Sequence, residues 1–123
     1  MIGEAVLAYV SDQMFAVDLR EAAAKTEIAL SFASSSGDFY EHLDQVHPVL
    51  AILDLTAVGA DLDRMVKACK AIGCKVIAFG PHAQEDLLNK AKAAGCDEVY
   101  TNSAFKQRPD EVLKEWFALH ARE

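Results

Sequence analysis

Val49-Leu50-Ala51-Ile52-Leu53-Asp54 is the stretch on which the fold turns. Five consecutive apolar residues do not alternate between core and water, as the strand of a half-exposed sheet must. The run is also too short for an ordinary helix. It predicts a strand buried on both faces, the situation of a central strand in a parallel sheet, closed by one acidic residue. Ala5 to Val10, Ile28 to Phe32, Val76 to Phe79 and, more weakly, Val99 to Thr101 have the same character.

Helical patterns fill the intervals. Gln13 to Lys25 is rich in Ala and Leu, and Asp12 stands where a capping carboxylate should be. Ser34-Ser35-Ser36-Gly37 turns into a short helix over Asp38 to Gln45, stopped by His47-Pro48 because the residue before proline disfavours helix. A loop after Asp54 leads into a helix over Asp61 to Ile72, ended by Gly73 as a left-handed cap. Gly80-Pro81-His82 turns into a fourth helix over Gln84 to Ala94, capped by Gly95, and a last helix runs from Pro109 to His120. Five strands alternating with five helices predict a three-layer α/β sandwich. Right-handed crossovers and a sheet covered on both faces restrict the topology, and the best-known five-stranded solution, the flavodoxin-like (βα)5 arrangement with parallel strand order 2-1-3-4-5, is expected by analogy of fold.

The chain has 123 residues, enough for one core and too few for two, so residues 1–123 are expected to form a single domain. Its formal charge of −7 and the lack of a basic stripe argue against nucleic-acid binding. No apolar run reaches the length of a membrane span, and Met1-Ile2-Gly3-Glu4 has no basic lead of a signal peptide, so a cytoplasmic protein is expected. Cys69, Cys74 and Cys96 form no CxxC pair, and no basic residue is placed to make a thiolate of any of them.

Ligands of such sheets sit beyond the carboxyl ends of the strands. Those ends supply Ser11 and Asp12, the turn Ser31 to Ser36, Asp54, Gly80-Pro81-His82, and Thr101-Asn102-Ser103. With strands one and three adjacent, Asp12 and Asp54 face one crevice. Two carboxylates there would hold a hard cation such as Mg²⁺, or raise one another's pKa by repulsion. Helix capping by Asp12 and strand termination by Asp54 would account for the same residues without chemistry.

Leu50-Ala51-Ile52-Leu53-Asp54-Leu55 resembles the third strand of response-regulator receiver domains (the CheY-like family), whose closing Asp accepts phosphate. Ser11-Asp12 takes the place of their acidic pair, and Ala93-Ala94-Gly95-Cys96-Asp97-Glu98-Val99 resembles their passage from helix four to strand five. The resemblance runs from about Ala5 to Leu119. It implies a phosphoacceptor at Asp54, an acidic pocket at Ser11 and Asp12, a Mg²⁺ between Asp12 and Asp54, and a histidine kinase or another signalling domain as partner.

Several departures qualify it. Ser11 replaces one acid, Gly80 stands where a Ser or Thr hydroxyl bonds the phosphoryl group, and Asn102-Ser103 replaces the Lys-Pro after strand five. Ala57-Val58-Gly59-Ala60 replaces the usual Met-Pro loop. An amide cannot neutralise a phosphoryl group as a lysine does. The sequence therefore predicts a pseudo-receiver: a non-enzymatic interaction module with a degraded site and no required cofactor. A working phosphorelay receiver modified on Asp54 is the alternative. A small-molecule-binding domain using the Ser31–Ser36 turn and His82 is another.

The last helix carries Val112, Leu113, Trp116, Phe117 and Leu119 over roughly 160° of its circumference, wider than a core stripe of about 100°. Tyr100, Val112, Trp116 and Phe117 are accordingly expected to form an interface. The receiver resemblance implies homodimers through the fourth helix, fifth strand and last helix.

Overall fold

In the computed structural model, which describes residues 5–121 and side chains as far as Trp116, the apolar runs become five strands. They are β1 (Ala5–Tyr9), β2 (Ala29–Phe32), β3 (Leu50–Asp54), β4 (Lys75–Gly80) and β5 (Glu98–Thr101). All pair in parallel, in the order β2-β1-β3-β4-β5. This is the flavodoxin-like topology expected by fold analogy for five alternating strands and helices.

β3 lies in the middle and every one of its residues is buried. Its side chains alternate between two cores. Leu50 and Ile52 join Val6, Ala8, Ile77 and Phe79 on one face, whereas Ala51 and Leu53 join Leu7, Val76 and Ala78 on the other. A continuous apolar run is needed because both faces are covered, so neither set can be polar.

The first face is covered by α1 (Gln13–Lys25) and α7 (Pro109–Ala121), through Phe15, Leu19, Val112 and Leu113. The second is covered by α2 (Ser36–Val46), α4 (Leu62–Ala71) and α5 (Glu85–Ala94), through Phe39, Leu43, Met65, Val66 and Ala91. The expected stop signals act as physical devices. His47 is left-handed at φ 53° before Pro48, and Gly73 and Gly95 turn at φ 75° and 104°.

Two short helices are absent from the sequence reading. α3 (Leu55–Val58) begins directly on β3, and a 3-10 turn over Gly59–Asp61 joins it to α4. α6 (Asn102–Lys106) begins directly on β5, capped by the Thr101 hydroxyl, which accepts from the Ala104 amide at 3.2 Å. Each is too short to show a hydrophobic period. Both lie at the carboxyl edge of the sheet, and both change the candidate site.

Val112 is 5% exposed and belongs to the α1-side core, which removes it from the expected interface. α7 turns its Val112–Leu113 edge onto the sheet and α1, leaving Trp116 half-buried at the margin. The side chains of Phe117 and Leu119 lie outside the described residues.

Candidate functional site

The sheet register sets the site. Tyr9 pairs with Leu53 and Asp54 with Phe79, so the chain leaving β1 passes the end of β3. Ser11 is thereby brought onto Asp54. Its amide donates to Asp54 Oδ2 at 3.1 Å and its hydroxyl donates to the same oxygen at 2.9 Å.

The other carboxylate oxygen is held from the opposite side. Thr56, in the first turn of α3, donates its amide to Asp54 Oδ1 at 3.0 Å and its hydroxyl at 2.7 Å. Asp54 is thus the N-cap of α3, and it is only 4% exposed. Four donors satisfy a buried anion that would otherwise be very costly to desolvate. Ser11 acts here as a hydroxyl donor, which is the opposite of what a second carboxylate would do at that place.

Asp12 is directed elsewhere. Its Oδ1 caps α1, accepting from the amides of Met14 at 3.0 Å and Phe15 at 3.3 Å. Its Oδ2 accepts from the Lys106 ammonium at 3.0 Å. The Lys106 bond, with the Phe15 amide behind it, holds the Asp12 carboxyl below the usual carboxylate range.

Lys106 was not identified from the sequence. It sits four residues beyond Asn102, and α6 makes that offset one helical turn. The same helix buries Phe105 in an edge-to-face cluster with Phe15 and Phe79, at centroid distances of 5.2 and 5.1 Å. Lys106 Nζ lies 5.4 Å from the Phe15 ring centroid and 5.8 Å from that of Phe79. An ammonium over two ring faces and against a carboxylate is a favourable cation site. A lysine therefore does reach the acidic edge, from a different helix position, and it pairs with Asp12.

Gly80 has a packing reason of its own. A Cβ built there would lie 3.3 Å from Leu55 Cδ1 and 3.4 Å from Leu88 Cδ2. Two leucines fill the space in which a Ser or Thr side chain would stand. Asn102 and Ser103 are the first residues of α6, and no peptide bond among the described residues is cis.

The acids do not fit a Mg²⁺ site as arranged. Each oxygen of Asp54 already accepts two hydrogen bonds, and both oxygens of Asp12 are taken by the helix end and by Lys106. A divalent cation needs free, oxygen-rich ligands in near-octahedral array. Among the described residues no cluster of three acidic, histidine or cysteine side chains is placed to hold a metal.

The remaining candidates are scattered. His82 is exposed on the β4–α5 turn. The serine turn closes on itself: Ser34 donates its amide and hydroxyl to Asp38 Oδ2 at 2.8 and 3.1 Å, and the Ser35 hydroxyl caps α2. Cys74 and Cys96 precede β4 and β5 at the far edge of the sheet. Burial pushes the Cys96 thiol up to about 11, and the Cys69 thiol together with burial pushes Cys74 up as well, so neither is a ready nucleophile. Tyr100 stacks on Phe105 at 5.7 Å, and its hydroxyl accepts from the Trp116 indole N–H at 2.9 Å.

No protein-family model matches the sequence, and no curated protein does. Solved structures do match. A CheY-like response regulator receiver domain protein from Methanospirillum hungatei aligns over 98% of both chains at 16% identity, with a TM-score of 0.80. A response regulator from Hahella chejuensis aligns over 92% of this chain and 94% of its own at 18% identity and a TM-score of 0.78. One from Thermotoga maritima covers 93% and 97% at 14% identity and 0.76. The chain has the fold of these receiver domains along nearly its whole length.

Proposed function

We propose that this chain, which has the receiver fold, is a non-enzymatic signalling module that works by protein contact and not by phosphoryl transfer. One observation supports it above the others: both oxygens of Asp54 are engaged inside the chain by Ser11 and Thr56. An in-line attack on phosphorus needs an exposed, uncommitted oxygen and a cation to gather charge on the phosphoryl group. Here the oxygens are buried and bonded, and the Lys106 ammonium that reaches the acidic edge is tied to Asp12.

The switch side of the site is closed in the same way. Gly80 offers no hydroxyl, and a Cβ there would already crowd Leu55 and Leu88, so a phosphoryl group would have no donor at that position to couple it to β4. Beryllofluoride with Mg²⁺ is therefore expected to leave the amide chemical shifts of Gly80 and Tyr100 unchanged. A saturable shift running through β4 and β5 would instead establish a phosphorelay receiver acting on Asp54.

The contact face we assign is formed by β5, α5 and α7, with Tyr100 and Trp116 at its centre. The Trp116–Tyr100 hydrogen bond ties two half-buried aromatic side chains into one surface feature. Such residues anchor interfaces because they bury large area at small entropic cost. The partner is a second copy or another signalling domain. If it is a second copy, Trp116→Ala should weaken self-association about tenfold or more, equivalent to roughly 1.4 kcal/mol, by sedimentation equilibrium. A monomer at high micromolar concentration assigns the face to a heterologous domain.

A further inference from the structure

A crevice of about 490 Å³ opens beside the acidic edge, between the start of α1 and the end of β2. It lies outside the carboxyl ends of β1 and β2 and reaches Ala57 after β3, next to the point where the strand order reverses. Ligands of doubly wound sheets sit beyond the strands' carboxyl ends at the switch point, here between β1 and β3; the crevice adjoins it, and its volume falls in the range of small-molecule sites. None of this depends on the reading of Asp54 as closed.

The charge on the crevice is single and uncompensated. Arg20 is the only charged side chain lining it. No ion pair among the described residues involves Arg20. The carboxylates that follow β1, end β3 and open α2 have partners of their own: Asp12 has Lys106, Asp38 has Ser34 and His42, Asp54 has Ser11 and Thr56. The Arg20 guanidinium lies over the Phe32 ring, 4.9 Å from its centroid, so an aromatic wall stands beside the cation in the crevice. In a chain of net charge −7, an arginine without an ion-pair partner on the wall of a crevice that no acid lines marks a place for an outside anion.

The rest of the wall narrows the class. Phe32, Val17 and Ala16 supply an apolar side, and Ser11, Gln13 and Ser34 are the neutral polar residues of the lining. One guanidinium and no second cation suits a monoanion better than a phosphate dianion. Its planar fork matches a carboxylate with two parallel hydrogen bonds. The geometry points to a binding site for a small monocarboxylic acid with a flat apolar body, its carboxylate on Arg20 and its body along Phe32 and Val17.

Benzoate is the probe, titrated into the ¹⁵N-labelled full chain. Saturable amide shifts confined to residues 9–20 and 32–34 and to Ala57 are expected, with a Kd of about 1 mM, the scale of one charge-assisted contact plus a half-apolar wall. Arg20 is exposed, so Arg20→Gln should fold normally and weaken binding about tenfold or more, while Arg20→Lys should fall between. Benzyl alcohol, the neutral counterpart, should not saturate. Absence of a saturable benzoate shift, equal affinity in Arg20→Gln, shifts at other elements, or tighter binding of inorganic phosphate than of benzoate would each overturn the assignment.

Discussion

Replacing Asp54 by alanine is expected to cost about 3 kcal/mol of folding stability, seen as a fall of about 10 °C in Tm or the matching loss in urea unfolding. The carboxylate is 4% exposed and accepts from two amides and two hydroxyls. Alanine would orphan the Ser11 and Thr56 amides, at about 1–3 kcal/mol for each that water cannot reach. It would also remove the cap of α3, worth about 1 kcal/mol. Asp54→Asn keeps one accepting oxygen and should lose less.

The sign of this effect separates two kinds of acidic site. A phosphoacceptor set among other carboxylates is strained by like charge, so its removal leaves stability unchanged or raises it. Asp54 instead receives only donors, and it joins the ends of β1 and β3 as a brace. An Asp54→Ala chain as stable as the parent would show that the four hydrogen bonds do not hold in solution, and the closed-site reading would go with them.

Gly80→Thr is expected to destabilise the chain by about 2 kcal/mol, as overpacking of a well-filled core does. The substitution restores the hydroxyl that a working switch requires. Its Cβ alone would stand 3.3 Å from Leu55 and 3.4 Å from Leu88, tight enough that the leucines must give way. Leu55 opens α3, whose cap is Asp54, so relief of the clash would disturb the same brace. Denaturant unfolding of Gly80→Thr decides the point. An unchanged midpoint, above all with a beryllofluoride response that the parent lacks, would mean that the position is open and the site repairable.

The five strands were legible because they rest on composition along short segments, whereas their order came from fold analogy. Val49 to Leu53 is apolar at every residue, and only a strand covered on both faces uses such a run. Asp12 was legible as a cap, and His47-Pro48, Gly73 and Gly95 as stops, because each acts on its own few neighbours. The loss of a hydroxyl at Gly80 was equally visible, since an absent atom requires no geometry to recognise.

What the tertiary structure alone decided is which partner each site residue takes. Ser11 and Asp54 are 43 positions apart, and Lys106 and Asp12 are 94 apart. No local pattern encodes such pairs; they follow from strand register and from where short helices begin. α6 is five residues long, too short to leave a period, yet its single turn carries Lys106 to the edge that Asn102 had seemed to leave without a cation. α3, four residues long, does the same for Thr56, and Leu55 within it fills the space at Gly80. The sequence shows which chemical groups a receiver site would lack. Side-chain packing across the ends of three strands decides that the remaining acid is closed.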